Sequence, residues 1–247
     1  MGLALFGLLM MAMLALLASA ARSQDGDEAR LRQTLQAKFP KVTVESISKT
    51  PFGGLYEIVL GGEIIYMDGK AEYMMGGSLY DIRSAQIRNI TQDTSQRLAS
   101  KALTSSHDSA IKMVRGNGKR VIYTFEDPNC GYCKQLYKEL GTMTDVTIYT
   151  FLLPILSPDS MEKSRAIWCS KDRAKAWDQM MTKGALTEQV KPCEGPMEKN
   201  AQLAQRFNIR GTPAIFLASG QQLGGYIPAA QIEQALGKIR KQMRDFS

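Results

Sequence analysis

Two cysteines separated by two residues, Cys130 and Cys133, stand between a β-rich run and an amphipathic run, and no other feature restricts the local fold as much. Residues 121–125 before them are β-branched and aromatic, which is typical of a buried strand. After them, apolar residues recur at helical spacing at Leu136 and Leu140. The pattern therefore predicts that the motif opens a helix directly after a strand.

This position indicates thiol–disulfide chemistry. At a helix N-terminus the unpaired backbone N–H groups and the helix dipole favour a thiolate, here at Cys130. Cys133, one turn later, is predicted to face the protein and to resolve a mixed disulfide. Asn129 is a suitable N-cap. A zinc half-site and an inert structural disulfide are the alternatives, but zinc requires two further soft ligands at short spacing, so we expect no metal and no other cofactor.

The remaining candidate ligands are scattered along the chain. Cys169 and Cys193 are isolated, and His107 is the sole histidine of the 247 residues. Four cysteines allow three pairings, of which 130–133 with 169–193 is our prediction. A second bridge would close a loop of about 25 residues and stabilise the fold by roughly 3–4 kcal/mol; two buried free thiols are the alternative. His107, on a polar segment, is expected to be exposed.

The N-terminus predicts export. Residues 3–20 carry no charge and end in Ala18-Ser19-Ala20, the small-x-small pattern of a signal peptidase site. We expect cleavage after Ala20 or Ala21, with an uncleaved membrane anchor as the alternative. The net charge of +7 comes without a dense Lys/Arg run, so no nucleic-acid partner is expected.

The first part of the mature chain is predicted as a small β-rich domain. An amphipathic helix over 27–39 stops at Pro40, and four short strands follow at about 42–47, 55–60, 64–67 and 71–75. Asp68-Gly69 is typical of a tight two-residue hairpin turn. A sheet this small tends to bury its open edge, for which a second copy of the chain is the simplest candidate.

The second part alternates between helix and strand. A helix over 88–106, polar nearly all round, is typical of a bridge between domains. Residues 146–153 read as a strand, 157–184 as helical with a start at Pro158 and a stop at Gly184, and 214–217 with 222–227 as a hairpin. Thr212-Pro213 precedes that hairpin, where a proline implies a turn or a cis bond.

Cys-x-x-Cys opening a helix, with Thr-Pro before the last hairpin, resembles the thioredoxin superfamily. Within it the chain resembles the DsbC/DsbG family of periplasmic disulfide isomerases, and its DsbC members more closely. The shared pieces are Cys130-Gly-Tyr-Cys133, Ala166-Ile-Trp-Cys169-Ser-Lys-Asp172, Gly211-Thr-Pro-Ala214 and Gly225-Tyr-Ile-Pro228. Lys134-Gln135 departs from the family's usual His-Lys pair and places a fixed positive charge beside the motif.

The resemblance implies an α+β / α/β architecture: a cystatin-like β-rich dimerisation domain, a linker helix and a thioredoxin fold with a helical insertion. The expected bounds are 1–20 for the signal peptide, 21–86 for the dimerisation domain, 87–108 for the linker and 109–247 for the catalytic domain. It also implies that Pro213 is cis and lies against the cysteine pair. Gly131, Tyr132, Thr212 and Pro213 are the expected active-site neighbours.

The function implied by the resemblance is reduction or isomerisation of non-native disulfides by a periplasmic homodimer. The expected partners are unfolded or misoxidised exported proteins and a membrane thiol reductase similar to DsbD. Two alternatives stay open. One is a DsbG-like reductase that protects single thiols, for which a proline in place of Gly131 would be typical. The other is a redox-silent chaperone or assembly factor, against which the intact Cys130 and Cys133 argue.

Overall fold

The structure, a computed structural model, describes residues 26–187 and 190–245, with side chains as far as residue 237. The predicted signal sequence lies outside the described residues. The described chain divides into two compact units, one ending at Thr91 and the other beginning at Gln92. Among the helices of this part of the chain, none combines the length and the apolar composition needed to cross a membrane.

The first unit packs one helix on one antiparallel sheet. Its elements are helix α1 (26–38), strands β1 (Val44–Lys49), β2 (Leu55–Leu60), β3 (Glu63–Asp68) and β4 (Met74–Gly76), and a two-stranded ribbon of β5 (Tyr80–Asp81) and β6 (Arg88–Asn89). The four strands lie in chain order, so β4 forms an edge. Leu31 and Leu35, one turn apart on α1, are buried against Ile47, Ile58 and Met67 of the sheet.

The tight hairpin turn lies elsewhere than predicted. Leu60 pairs with Glu63, so Gly61 and Gly62 form a two-residue turn between β2 and β3. Both glycines have positive φ, 60° and 87°, as a primed turn requires. The prediction for Asp68-Gly69 is wrong, because the Asp68 carboxylate instead accepts the backbone N–H groups of 70, 72 and 73 and organises a longer loop.

The second unit is a five-stranded mixed sheet covered by helices. Its elements are helix α2 (Ile90–Thr104), which starts at the end of the first unit, a 3-10 turn (His107–Ser109), β7 (Ile111–Arg115), β8 (Arg120–Glu126), α3 (Gly131–Gly141), β9 (Val146–Leu152), α4 (Pro158–Cys169), α5 (Arg173–Lys183), α6 (Met197–Arg206), β10 (Ala214–Leu217), β11 (Gln222–Gly224) and α7 (Ala229–Asp245). The strand order is β11-β10-β8-β9-β7. Strands β8 and β9 are parallel and the other neighbours antiparallel.

Helix α2 is more firmly packed than its polar composition indicated. Leu103 is fully buried in the core of the second unit. Ser100 Oγ donates to the carbonyl oxygen of Ala218 at 2.7 Å. Gly220, with a φ of 81°, lies so close to α2 that a Cβ there would be 1.9 Å from the carbonyl oxygen of Gln96. The helix is therefore fixed to the β10–β11 turn.

The predicted helical stretch over 157–184 is two helices rather than one. Ser157 caps α4, Pro158 occupies its first turn, and Gly184 ends α5 in the left-handed conformation. Between the helices, Asp172 accepts the backbone N–H of Lys175 and caps α5. This break turns the chain, so that α5 packs on both α4 and α3.

Candidate active site

The turn between β8 and α3 places Cys130 at the helix N-terminus. The carbonyl oxygen of Asp127 accepts the Cys130 N–H at 3.0 Å, and the backbone N–H of Cys133 points to Cys130 Sγ at 3.3 Å. Cys130 is thus itself the N-cap, and the prediction that Asn129 is the cap is wrong. The first helical turn thus directs a backbone donor at this sulfur.

Asn129 has a different structural role. Its Nδ2 donates to Asp159 Oδ2 at 2.7 Å and to Ser160 Oγ at 3.0 Å, and its Oδ1 accepts from Lys163 Nζ at 2.8 Å. These contacts attach the residue before Cys130 to the first turns of α4. The active-site loop is therefore held by the helical insertion as well as by the sheet.

The two cysteines of the motif differ in accessibility. Both are free thiols, but Cys130 is 6% exposed and Cys133 is 0% exposed. Of the two cysteines, Cys130 alone therefore retains exposed surface. Of the residues between them, Tyr132 is exposed, and a Cβ atom at Gly131 would meet no atom of the described chain within 4 Å.

Thr212 and Pro213, the predicted active-site neighbours from the C-terminal part of the chain, lie beside the cysteine motif. The Thr212-Pro213 peptide bond is cis, and the thiol of Cys130 donates to the carbonyl oxygen of Thr212 at 3.2 Å. This proximity follows from the sheet, because β10 pairs with β8 and brings Ala214 opposite Phe125. Sequence reasoning placed Pro213 here only through the family resemblance.

Sequence reasoning missed the buried carboxyl of Glu126, the last residue of β8. Glu126 is 1% exposed and accepts a hydrogen bond at 2.7 Å from Thr124 Oγ1 through Oε1. Its Oε2 has no hydrogen-bond partner within the described residues. Burial raises the pKa of Glu126 to about 7, although hydrogen bonds from Thr124 and Thr150 act in the opposite direction. A glutamate ending a buried strand was the available signal.

The electrostatics of Cys133 are linked to this carboxyl. Burial raises the pKa of the Cys133 thiol well above its usual range, and the negative charge of Glu126 raises it further. Cys133 is consequently a thiol at neutral pH. It becomes a nucleophile only when a neighbouring group takes its proton, and Glu126 lies close enough to interact with it electrostatically.

Asp127 connects a second loop to the motif. Its Oδ1 accepts the N–H of Asn129 at 2.8 Å, and its Oδ2 accepts the N–H groups of Ile155 and Leu156 at 2.9 and 3.0 Å. Asp127 is fully buried. The loop after β9 is therefore held beside Cys130 by hydrogen bonds to an interior carboxylate.

The second cysteine pair forms a disulfide, Cys169–Cys193, with Cα atoms 5.6 Å apart. Cys169 ends α4, and Cys193 lies in the exposed segment before α6. Beside it, the Arg173 guanidinium stacks 3.7 Å over the Trp168 ring and its Nε donates to the Trp168 carbonyl. The bridge therefore ties the helical insertion together, apart from the Cys130–Cys133 motif.

His107 does not have the exposure expected of it. Its ring is half-buried and stacks on Tyr149 with centroids 3.9 Å apart, and its Nε2 lies 2.9 Å from the hydroxyl of Tyr123. Burial lowers the pKa of His107, and the charge of Lys112 lowers it further. The expectation failed because aromatic side chains from β8 and β9 cover a segment that is polar in sequence.

Comparison with known proteins matches both units to families. Residues 22–92 match the disulfide bond isomerase protein N-terminal domain, and residues 107–240 match a thioredoxin-like domain. The chain is 38% identical over 217 residues to a Bordetella parapertussis protein named "probable thiol:disulfide interchange protein DsbC", covering 87% of this chain and 76% of the relative. It is 25% identical over 232 residues to the Escherichia coli thiol:disulfide interchange protein DsbC, covering 92% and 94%.

A solved structure agrees with these relatives. The disulfide interchange protein from Neisseria gonorrhoeae is 42% identical, with a TM-score of 0.51, and the match covers 54% of this chain and 96% of that one. The predicted fold class, a thioredoxin-like domain preceded by a smaller β-rich domain, is confirmed. With its Cys-Gly-Tyr-Cys motif at a helix N-terminus, the chain belongs to the DsbC family of thiol:disulfide interchange proteins.

Proposed function

We propose that the chain reduces and isomerises non-native disulfides in exported proteins, with Cys130 as the attacking thiolate and Cys133 as the resolving thiol. The observation that carries this assignment is the asymmetry of the pair. Cys130 caps α3 and retains a little exposed surface (6%), whereas Cys133 is fully buried and has a raised pKa. Only the first is built to meet a client sulfur.

The reaction starts when the Cys130 thiolate attacks one sulfur of a client disulfide. That S–S bond breaks, a mixed disulfide forms, and the other client sulfur leaves as a thiolate. If a second client thiolate then attacks, a new client disulfide forms and the Cys130 thiolate is released, without net oxidation. If Cys133 attacks instead, the client leaves as a dithiol and Cys130–Cys133 becomes a disulfide.

Glu126 supplies the base for the second branch. Cys133 is a poor nucleophile while protonated, and a carboxylate with a pKa of about 7 is partly ionised at neutral pH. Its Oε2, unpartnered among the described residues, is the proposed acceptor for the Cys133 proton. The balance between isomerisation and reduction then depends on how readily Glu126 ionises.

The first unit is proposed to form a homodimer. Strand β4 is an open edge whose three residues are exposed. Eight large apolar side chains are exposed in residues 26–91, namely Val42, Phe52, Tyr73, Met74, Met75, Tyr80, Ile82 and Ile87. Surfaces of this kind favour self-association and binding of unfolded chains. Within this proposal, 21–86 dimerises, 87–108 links and 109–247 carries the chemistry.

The proposed compartment is the periplasm, reached through the signal-like segment that ends at Ala20. Oxidising surroundings would convert Cys130 and Cys133 to a disulfide, so isomerisation requires an external source of electrons. A membrane thiol reductase similar to DsbD is the proposed donor. It would reduce the pair by the same exchange reaction in reverse.

Reactivation of scrambled ribonuclease tests the proposal. The full-length reduced protein should restore ribonuclease activity, and Cys130→Ser should abolish this effect. If Cys130→Ser does not reactivate ribonuclease but still suppresses aggregation of unfolded ribonuclease, the protein has a chaperone function that does not depend on Cys130. If Cys130→Ser reactivates as well as the wild type, Cys130 is not the attacking thiol and the proposal is wrong.

A further inference from the structure

The second unit exposes few large apolar side chains, and most of them lie beside the active site. Within the described side chains of residues 92–237, four such residues are exposed: Val114, Tyr132, Ile155 and Leu156. Tyr132 belongs to the motif itself, and Ile155 and Leu156 follow β9. Val114 lies apart from them on the edge strand β7.

The backbone that carries Ile155 and Leu156 is fixed. Both N–H groups are held by the buried carboxylate of Asp127. The carbonyl oxygen of the same residue accepts the N–H of Cys130. The side chains are nevertheless 48% and 56% exposed. Because the loop is anchored, the two side chains are exposed in the folded active site itself. Exposing apolar side chains to water is unfavourable, and a partner that covers them would remove this cost.

Tyr132 adds an aromatic ring from another direction. Its side chain is 64% exposed, and its ring centroid lies 6.1 Å from that of Tyr226. Tyr226 follows Gly225, whose Cβ position would be 3.6 Å from the carbonyl oxygen of Pro213. Apolar surface therefore approaches Cys130 both from the side of Pro213 and from the side of Asp127.

We propose that Ile155, Leu156 and Tyr132 form an apolar client-binding surface that selects cysteines flanked by large apolar residues. This inference rests on the proposed function, since the occupant is the client segment whose disulfide Cys130 attacks. The N–H groups of Ile155, Leu156 and Cys130 are all hydrogen-bonded to Asp127, so a chain that reaches Cys130 passes close to these apolar side chains. Apolar residues beside a cysteine are buried in a native protein and accessible in a misfolded one, so such a surface discriminates in favour of non-native disulfides.

Two disulfide-linked model peptides test the proposal with the full-length reduced protein. They are identical polar peptides except for the central Leu-Cys-Leu or Ser-Cys-Ser. In one turnover the protein dithiol becomes the Cys130–Cys133 disulfide and the peptide disulfide becomes two peptide thiols. The second-order rate constants are measured under single-turnover conditions and divided by those for dithiothreitol, which removes intrinsic differences between the peptides.

The wild type should prefer the Leu peptide by about tenfold. Burial of about 55 Å² of apolar surface of the Leu side chains gives about 1.4 kcal/mol, which corresponds to this factor. In the double variant Ile155→Ser and Leu156→Ser, this ratio should fall to about twofold. Val114→Ser is the matched control, because it removes an exposed apolar side chain of similar exposure from β7. Its ratio should equal that of the wild type.

Several results would overturn the inference: equal rates for the two peptides with the wild type, an unchanged ratio in the double variant, or slowing of both peptides by the same factor. A change of the sedimentation coefficient in the double variant would assign the surface to self-association and also overturn it. If the wild type reduces both peptides at one rate, the proposed function stands without this selectivity. If it reduces neither, the proposed function itself fails.

Discussion

Cys130 Sγ lies 3.2 Å from the carbonyl oxygen of Thr212, although the two residues are 82 positions apart in the chain. Pairing of β10 with β8 creates this contact. The acceptor precedes the cis peptide bond to Pro213, so backbone groups of this loop border Cys130 Sγ. An extended client chain can pair with such groups while its disulfide faces Cys130.

The roles of the two thiols are tested by trapping. Cys133→Ala should accumulate mixed disulfides between Cys130 and client proteins, because the buried resolving thiol is absent. Cys130→Ala should accumulate none, because Cys133 is inaccessible. Non-reducing electrophoresis with mass spectrometry checks both variants. Equal trapping by the two variants, or alkylation of Cys133 before Cys130, would reverse the assignment.

The buried Glu126 predicts a specific pH dependence of stability. Its folded-state pKa of about 7 exceeds the ordinary value of 4.5, so the folded protein binds more protons than the unfolded chain between these values. Its contribution to the unfolding free energy therefore falls as pH rises from about 4.5 to 7. Glu126→Gln should raise the unfolding free energy at pH 8 by about 3 kcal/mol, with little gain at pH 4.

Urea titrations at both pH values measure this effect, with Glu162→Gln on the exposed face of α4 as the control. The same Glu126→Gln variant should release mixed disulfides through Cys133 several-fold more slowly at pH 7, because the proton acceptor is lost. Unchanged release would show that water or another group accepts that proton. An unchanged stability at pH 8 would contradict the raised pKa.

His107 offers a direct titration, because the chain contains one histidine. In a protein without a histidine tag, its imidazole resonance should titrate below pH 6.5, and Lys112→Ala should move the midpoint upward. Since the unfolded chain binds this proton more readily, the unfolding free energy should decrease as pH falls below about 6.5. A midpoint above 6.5 would mean that the ring is exposed after all.

The Cys169–Cys193 disulfide is predicted to be structural. Mass mapping after mild dithiothreitol should find free thiols at Cys130 and Cys133 alone. Replacing Cys169 and Cys193 together by Ala should lower the unfolding free energy by about 3 kcal/mol, as chain entropy predicts for a loop of this length. Reduction of all four cysteines under mild conditions would instead identify the second pair as redox-active.

Truncation tests the dimer. A fragment starting at Ile90 retains α2, whose Leu103 is fully buried in the second unit. It should be a folded monomer that reduces insulin but loses most reactivation of scrambled ribonuclease. A fragment starting at residue 106 lacks that packing and should be less stable by at least 2–3 kcal/mol. Sedimentation and both activity assays on the full-length protein and the two fragments check this prediction. A monomeric full-length protein would contradict the dimer.

Features that depend on neighbouring residues were predictable from the sequence. The Cys-Gly-Tyr-Cys motif lies between a β-rich run and a helical stripe, and both patterns arise within about ten residues. The start of α4 at Pro158 and the end of α5 at Gly184 likewise follow from local backbone preferences. The 169–193 pairing was the natural choice once the motif had been set aside.

Tertiary structure alone decided which groups are buried and which distant segments meet. The burial that shifts the pKa values of Glu126 and His107 comes from β9 and its neighbours. The position of Glu126 at the end of a buried strand was visible in the sequence, but the shift of its pKa was not. Cys130 caps α3, whereas the side chain of Asn129 is hydrogen-bonded to Asp159 of α4. Burial and proximity result from contacts between residues far apart in the chain, whereas sequence periodicity indicates the structure of one helix or strand at a time.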